Sequence, residues 1–463
     1  MWIPNLTAAS GPRYLAIVQA IAEGVARGQL KAGEQLPTHR ELASLLGVTT
    51  GTITRAYSEA ARRGLLVGET GRGTFVNADL FAHEFAEPSS TENEELIDLS
   101  LNIPPLSVGD SVGQALAKTL AGLAARPGLA ALMGYHTPAG LKRHRIIGAE
   151  WVTQSGLAAK AEQILICSGA LHAMTVTFCT LTRPGDSVFT ESLTYPGMKN
   201  LAHLLHLRLK GLPVDHHGII PESFDEACRN EPAKVLYTIP TLQNPLGTVM
   251  PESRRREIAD IATKHDVAIV EDDVHSFMLP DPPSPLSSFA PDNSYYILST
   301  SKSIAGGMRI GYLCAPERMI QPLETSLRAT TWMAAPLMAE IASEWIKDGT
   351  ADRIVKEKRA EAAARQSIAS QILQGFQFEA HQFSFHLWLH LPEPWRSNEF
   401  TSQLRRCGVA VTPSEAFVAG RQESPPAVRI CLGAPASRTE LEKGLTIVRG
   451  VLKGAPNPSL SIL

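Results

Sequence analysis

The chain has 463 residues, 44% of them apolar and 19% charged, the balance of a folded soluble protein with room for two or three domains. No apolar run reaches membrane-spanning length, and Met1-Trp2-Ile3-Pro4 offers neither the basic flank nor the apolar stretch of a secretory signal. The net charge of −3 is uneven: residues 1–78 hold eight basic and five acidic side chains, a basic module ahead of an acidic body, which points to a nucleic-acid partner for the front only. Six cysteines form no CxxC pair and no cluster with histidine, which favours reduced thiols, a cytoplasmic setting and no bound metal.

In chain order, Tyr14, Ile17, Val18, Ile21 and Val25 recur at helical spacing, and Gly28 is the stop. Thr38 and Glu41 make a capping-box pattern for a second helix, which Gly47 ends. A third helix starts within Val48–Thr54, so two short helices flank a glycine-containing turn, the helix-turn-helix pattern. Gly64–Val67 and Gly71–Val76 read as a hairpin with Arg72 between glycines. The third helix would present Thr50, Thr52 and Arg55 to bases and phosphates; Arg40 would reach the backbone, and Arg72 suits a narrow minor groove. A small packing domain with solvated arginines fits the same pattern. Over residues 11–78 the module resembles the winged helix of the GntR family of bacterial transcription regulators. Tyr14, the Gly33–Pro37 turn, Arg40-Glu41-Leu42-Ala43, Ala56-Tyr57 and Gly71–Val76 carry the resemblance, which implies binding to double-stranded DNA. Thr50 replaces an arginine common at the start of that family's recognition helix, which bears on the bases read.

Residues 79–98 carry seven acidic side chains and no Lys or Arg, with Pro88-Ser89-Ser90 in the middle. They read as a solvated connector that spans roughly 25 Å if flexible.

Residues 99–463 alternate short apolar runs with longer helical stretches. Ile164–Ile166, Ser187–Phe189, Val235–Tyr237, Val267–Val270, Tyr296–Leu298 and Ile310–Leu313 are the strand candidates. Such alternation predicts an α/β body with a mostly parallel sheet covered on both faces, whose ligands bind at the carboxyl ends of the strands. After the first strand, Gly169, Ala170 and Leu171 open a helix whose N–H groups can cup a phosphate; a plain strand-to-helix turn is the simpler reading. Tyr195 in Thr194-Tyr195-Pro196-Gly197, Asn244 in Asn244-Pro245-Leu246-Gly247 and Glu271-Asp272-Asp273-Val274-His275 follow later strands. Ser299-Thr300-Ser301-Lys302 then places a lysine at a strand end, where desolvation favours the neutral amine that adds to an aldehyde as a Schiff base. Ser299, Ser301 and Arg309 can hold a phosphate. In Ala427–Leu432 one arginine, Arg429, sits in an apolar strand and wants an anion; an internal salt bridge is the other reading.

These blocks resemble the fold-type-I pyridoxal-phosphate enzymes, the aspartate aminotransferase superfamily. The resemblance implies a large part at about 140–330 and a smaller α+β lobe at about 331–455. It makes Lys302 the Schiff-base lysine, Tyr195 the ring that stacks on the cofactor, Asn244 a donor to its phenolic oxygen and Asp272 the partner of its ring nitrogen, with Asp273 the rival. Arg429 becomes the clamp for a substrate carboxylate, and Tyr135 reaches the neighbouring subunit's cofactor phosphate. Many relatives carry a tyrosine two or three residues after the aspartate. Val274 and His275 stand there, so either His275 substitutes or it is a core or solvated histidine. Phe383 and Ser384 replace two glycines that line the substrate space, which should narrow the pocket.

Together the two resemblances match the MocR-type subfamily of GntR regulators. They imply a cytoplasmic homodimer, head to tail, with no membrane partner, that senses an amino acid, an amine or pyridoxal phosphate. A working aminotransferase with a secondary DNA-binding module is the alternative.

Overall fold

A computed structural model describes Trp2, Pro4, Leu30 and residues 12–26, 34–62, 65–69, 73–76, 96–105, 110–420 and 422–454. The N-terminal unit contains helices α1 (Arg13–Ala26), α2 (His39–Leu46) and α3 (Thr50–Arg62) and strands β1 (Leu66–Glu69) and β2 (Gly73–Val76). Thr38 and Glu41 close the capping box: Glu41 N–H donates to Thr38 Oγ1 at 3.3 Å, and Thr38 N–H donates to Glu41 Oε2 at 2.9 Å. Gly47, at φ +62°, ends α2 in the left-handed conformation that glycine adopts without a Cβ clash. Ile17, Val18, Ile21, Leu42, Ile53, Tyr57, Leu66 and Val76 bury one common core. β1 and β2 pair antiparallel from Leu66↔Val76 to Glu69↔Gly73, which makes the hairpin beside the three helices. Gly28, Gly64, Gly71 and Arg72 lie outside the described residues.

In the second unit, Ile97 and Asp98 form strand β3, parallel to Val409 and Ala410. This corrects the connector reading for those two positions. Ile97 and Leu99 alternate apolar and are 5% and 0% exposed, and that alternation outweighs the acidity of the run before it. The large sheet comprises β4 (Ile164–Cys167), β5 (Ser187–Glu191), β6 (Arg208–Leu212), β7 (Ala233–Thr238), β8 (Ala268–Asp272), β9 (Ser294–Ser299) and β10 (Gly311–Cys314), in the order β4-β10-β9-β8-β7-β5-β6. Only β10 runs antiparallel to its neighbours. β6 went unread in the sequence because Arg208 and Lys210 break its apolar character at the sheet edge. Along β9 the side chains alternate between two cores. Tyr296 and Leu298 join Trp151 and Trp345, whereas Tyr295 and Ile297 join Phe178, Met198 and Tyr237. Helix α4 (Ala170–Leu181) follows β4 and packs in the second of these cores. The smaller lobe holds a four-stranded antiparallel sheet around His386–His390 and Ala427–Cys431, backed by Leu441, Leu445 and Val448.

Candidate functional site

The polar residues singled out in the sequence follow the carboxyl ends of β4, β5, β7, β8 and β9. Gly169 precedes α4 at φ +90°, and a Cβ there would lie 2.8 Å from Arg309 Nη2. The bare glycine thus lets the guanidinium rest against the start of α4, where the N–H groups of Ala170 and Leu171 have no acceptor within the helix. Arg309 Nη2 also donates to Ser168 O at 3.4 Å. Across the strands, Ser299 is in register with Gly311 and Gly311 with Cys167, so Ser299 arrives beside this cup. Its Oγ accepts from Ser301 N–H at 3.1 Å and lies 3.0 Å from Ser301 Oγ. Glycine at 311 is required, since a Cβ would fall 2.7 Å from the Gly169 carbonyl carbon.

Strand alternation separates the two aspartates. Asp272 lies two residues beyond Val270, on the α4 side, and its Oδ2 accepts from the Tyr237 hydroxyl at 2.7 Å. Asp273 turns to the other core and accepts from the Tyr296 hydroxyl at 2.7 Å. Asp272 Oδ1 is buried and has no hydrogen-bond partner among the described residues. Burial pushes the Asp272 carboxyl up to about 6, opposed by the Tyr237 hydrogen bond and the positive Lys302. Tyr195 caps the helix Pro196–Leu204, and a Cβ on Gly197 would collide with its ring.

Lys302 stands in the single turn Thr300–Ser303, and its amine donates to the carbonyl of Asn102. Asn102 Nδ2 lies 3.5 Å from His386 Nδ1, and His386 Nε2 lies 3.0 Å from Gln243 O. The next residue, Asn244, accepts through Oδ1 from Arg429 Nη1 at 2.9 Å, and Arg429 Nη2 donates to Ser100 O at 2.7 Å. The contacts close a ring through Asn102, His386, Gln243-Asn244, Arg429 and Ser100, to which Lys302 is joined at Asn102. Arg429 is 1% exposed, stacks over Phe417 at 4.8 Å, leaves Nε without a partner, and pairs with no carboxylate among the described residues. The internal salt bridge weighed from sequence is therefore not what holds it. His275 is buried with its ring centroid 6.1 Å from that of His386, and it makes no side-chain hydrogen bond among the described residues. Burial first, then the charges of Lys302 and Arg429, hold His275 well below the usual imidazole range and push His386 down to about 3, so both rings are neutral. Ser384 Oγ lies 3.0 Å from His386 Nδ1, and Phe383 packs beside Leu242, Met278 and Phe385.

Tyr135 joins none of these groups. It is 83% exposed, edge-on to Trp332 with centroids 5.6 Å apart. In the N-terminal unit Arg40, Thr50 and Arg55 are exposed and Thr52 is half-buried. The Thr52 hydroxyl lies 2.9 Å from Thr49 Oγ1, and Arg55 lies over the Tyr14 ring at 4.2 Å. Thr54 and Ser58 share the exposed face of α3 with Thr50.

The donor set fits pyridoxal phosphate. A helix start faced by an arginine suits a phosphate, an unpartnered buried carboxylate oxygen suits a ring N–H, and an amine stands at the neighbouring strand end. Fold and site together define an aminotransferase-type body that follows a helix-turn-helix unit. The chain belongs to the aminotransferase class I and II family, whose model matches residues 94–448, and residues 13–76 match the gntR family of bacterial regulatory proteins. It is thus a DNA-binding regulator of GntR type with an aminotransferase-like domain, consistent with the MocR type, and its family's cofactor is pyridoxal phosphate. It is 29% identical to the HTH-type transcriptional regulator YdeF of Bacillus subtilis, over 97% of this chain and 96% of that protein. It is 28% identical to the pyridoxine biosynthesis regulator PdxR of Corynebacterium glutamicum, over 77% of this chain and 78% of that one. Among solved structures, the Pyrococcus horikoshii kynurenine aminotransferase shares the fold at a TM-score of 0.71 and 21% identity, covering 78% of this chain and 91% of that one. An archaeal alanine:glyoxylate aminotransferase does so at 0.70 and 24%, covering 77% and 91%. No described helix is long and apolar enough to cross a membrane, and no three described His, Cys, Asp or Glu side chains gather as metal ligands.

Proposed function

We propose that this chain senses an amino compound in its body and transmits the binding to a DNA-binding head. The observation that carries the reading is Arg429, buried without a carboxylate partner among the described residues, in the ring of contacts to which Lys302 is joined at Asn102. An unpaired buried cation is costly, and a ligand carboxylate relieves that cost. When bound, pyridoxal phosphate supplies an aldehyde for amine capture and an electron-withdrawing ring. Lys302 presents the amine that holds it, Asp272 offers Oδ1 to its ring nitrogen, and Tyr195 lies against its ring. Ala170, Leu171, Ser299, Ser301 and Arg309 take the phosphate. Asn244 would donate to the phenolic oxygen, with His275 in place of the tyrosine many relatives carry, and Arg429 would clamp the incoming carboxylate.

On this reading residues 1–78 are the head, 79–96 the connector and the remainder the body. The head contacts an operator through Arg40, Thr50, Thr52, Arg55 and Arg72. The molecule is a cytoplasmic homodimer, head to tail, in which the exposed Tyr135 reaches the partner's phosphate. A ligand moves the DNA equilibrium only by its differential affinity for the two states.

The test is the visible band of bound pyridoxal phosphate while amino acids and amines are added, with operator binding measured in parallel. A band that one compound shifts and that then persists, with a change in DNA affinity, is the expected result. Sustained release of a keto acid would instead make the body a working aminotransferase. Lys302→Ala is expected to lose both band and response; a variant that still responds normally overturns the role of Lys302.

A further inference from the structure

One buried lysine among the described residues of the body is unused by that reading. Lys358 lies on the helix Thr350–Ile372, which packs against the turn bearing Lys302 and against the turn Ser276–Met278 that follows His275. Lys358 is 3% exposed. The acids beside it on the helix are already engaged. Glu357 takes Ser111 Oγ at 2.7 Å and Arg353 at 2.9 Å, and Glu361 takes Arg365 and Arg438, each at 2.6 Å. No described residue accepts a hydrogen bond from the Lys358 amine. Burial first, and then the charge of Lys302, bring it down to about 8, so at neutral pH it is still a cation.

Three basic side chains, Lys302, Lys358 and Arg429, thus lie about this site: the first acts on Lys358 and, with Arg429, on His386. With Arg309 and the start of α4 assigned to a phosphate and Arg429 to one carboxylate, Lys358 is left without a counter-charge among the described residues. A desolvated ammonium demands one. The solvated face of a helix would leave the amine in water, and an internal salt bridge would give it an acid; neither is the case here.

We infer that Lys358 is a second anion-binding group of the effector pocket, and that the effector is an amino compound with two anionic groups, of the amino dicarboxylate class. This rests on the reading in which Lys302 and Arg429 face an amino acid. A neutral amide of the same shape would satisfy Arg429 but leave Lys358 unpaired, so discrimination between acid and amide is its signature.

The experiment uses full-length protein loaded with pyridoxal phosphate and follows its visible band during titration with glutamate, glutamine, aspartate and asparagine. At least one acid is expected to shift the band at a concentration lower than its amide by about tenfold or more. Lys358→Met is expected to raise the acid's midpoint to that of the amide, while Lys358→Arg keeps the preference. Equal midpoints for acid and amide in the unaltered protein overturn this inference and leave the amino-compound reading standing. So does a Lys358→Met variant that keeps the preference. A band that no amino compound moves overturns the reading beneath it as well.

Discussion

Lys358→Met is expected to stabilise the body at neutral pH. The unaltered protein buries an ammonium whose proton affinity falls from 10.5 to about 8, with burial the first cause. That difference corresponds to about 3 kcal/mol at neutral pH, an upper figure because water entry and side-chain relaxation lessen it. Methionine has nearly the same length and no charge. The sign follows from proton counts. Between about pH 8 and 10.5 the unfolded chain holds the Lys358 proton and the folded chain does not, so stability rises with pH across that window and the penalty is full below it. The variant lacks this rise. Its advantage is about 3 kcal/mol near pH 7 and shrinks by about half near pH 9.5. Urea unfolding of cofactor-free protein, followed by fluorescence of the buried Trp151, Trp345 and Trp388, measures it at both pH values. A variant no more stable than its parent near pH 7, or an advantage that does not shrink near pH 9.5, would falsify the claim that Lys358 is a buried, unpaired cation.

Cofactor retention should fall as pH drops through about 6, where the Asp272 carboxyl takes up its proton, and Asp272→Asn should retain the cofactor weakly with that pH step gone; dialysis and the visible band read both. Gly169→Ala is expected to weaken retention by about tenfold or more, because the added carbon meets Arg309 at 2.8 Å and the residue sits at φ +90°; an unchanged dissociation constant would refute the proposed phosphate cup. Thr38→Ala removes the capping box of α2 and should cost the head about 1 kcal/mol, read as faster hydrogen exchange in residues 41–46. Operator affinity should fall linearly on a log–log plot against salt, and Arg55→Gln should lower the slope by about 1 if Arg55 meets a phosphate.

Much of this was legible in the sequence because local rules coincide with the fold. Thr38, Glu41 and Gly47 mark helix ends through backbone chemistry alone, and α2 begins and ends where they place it. Lys302 and Asp272 stand at strand ends, where an α/β sheet gathers its ligands. Alternation explains why Asp272 rather than Asp273 turns toward α4: Val270 two residues earlier fixes the side. Contacts between residues remote in sequence were not legible. Nothing in Ser100-Leu101-Asn102 announces that its carbonyls receive Arg429 and Lys302, because backbone acceptors carry no sequence signal. Lys358 lies in Lys356-Glu357-Lys358-Arg359, a run that reads as a solvated helix face, and only packing shows one member turned inward. His386 hides in an apolar strand, where a buried histidine and a bystander look alike.

The contacts of Ser100 and Asn102 tie the site to the first described stretch of the body. Two of the cations assigned to ligand chemistry are spent on carbonyl oxygens of one short stretch, and that stretch begins a few residues after the connector ends. Arg429 keeps its Nε–H without a partner among the described residues, so a carboxylate can take it while Nη2 still holds Ser100. β3, anchored to Val409 and Ala410, is the clasp next to it.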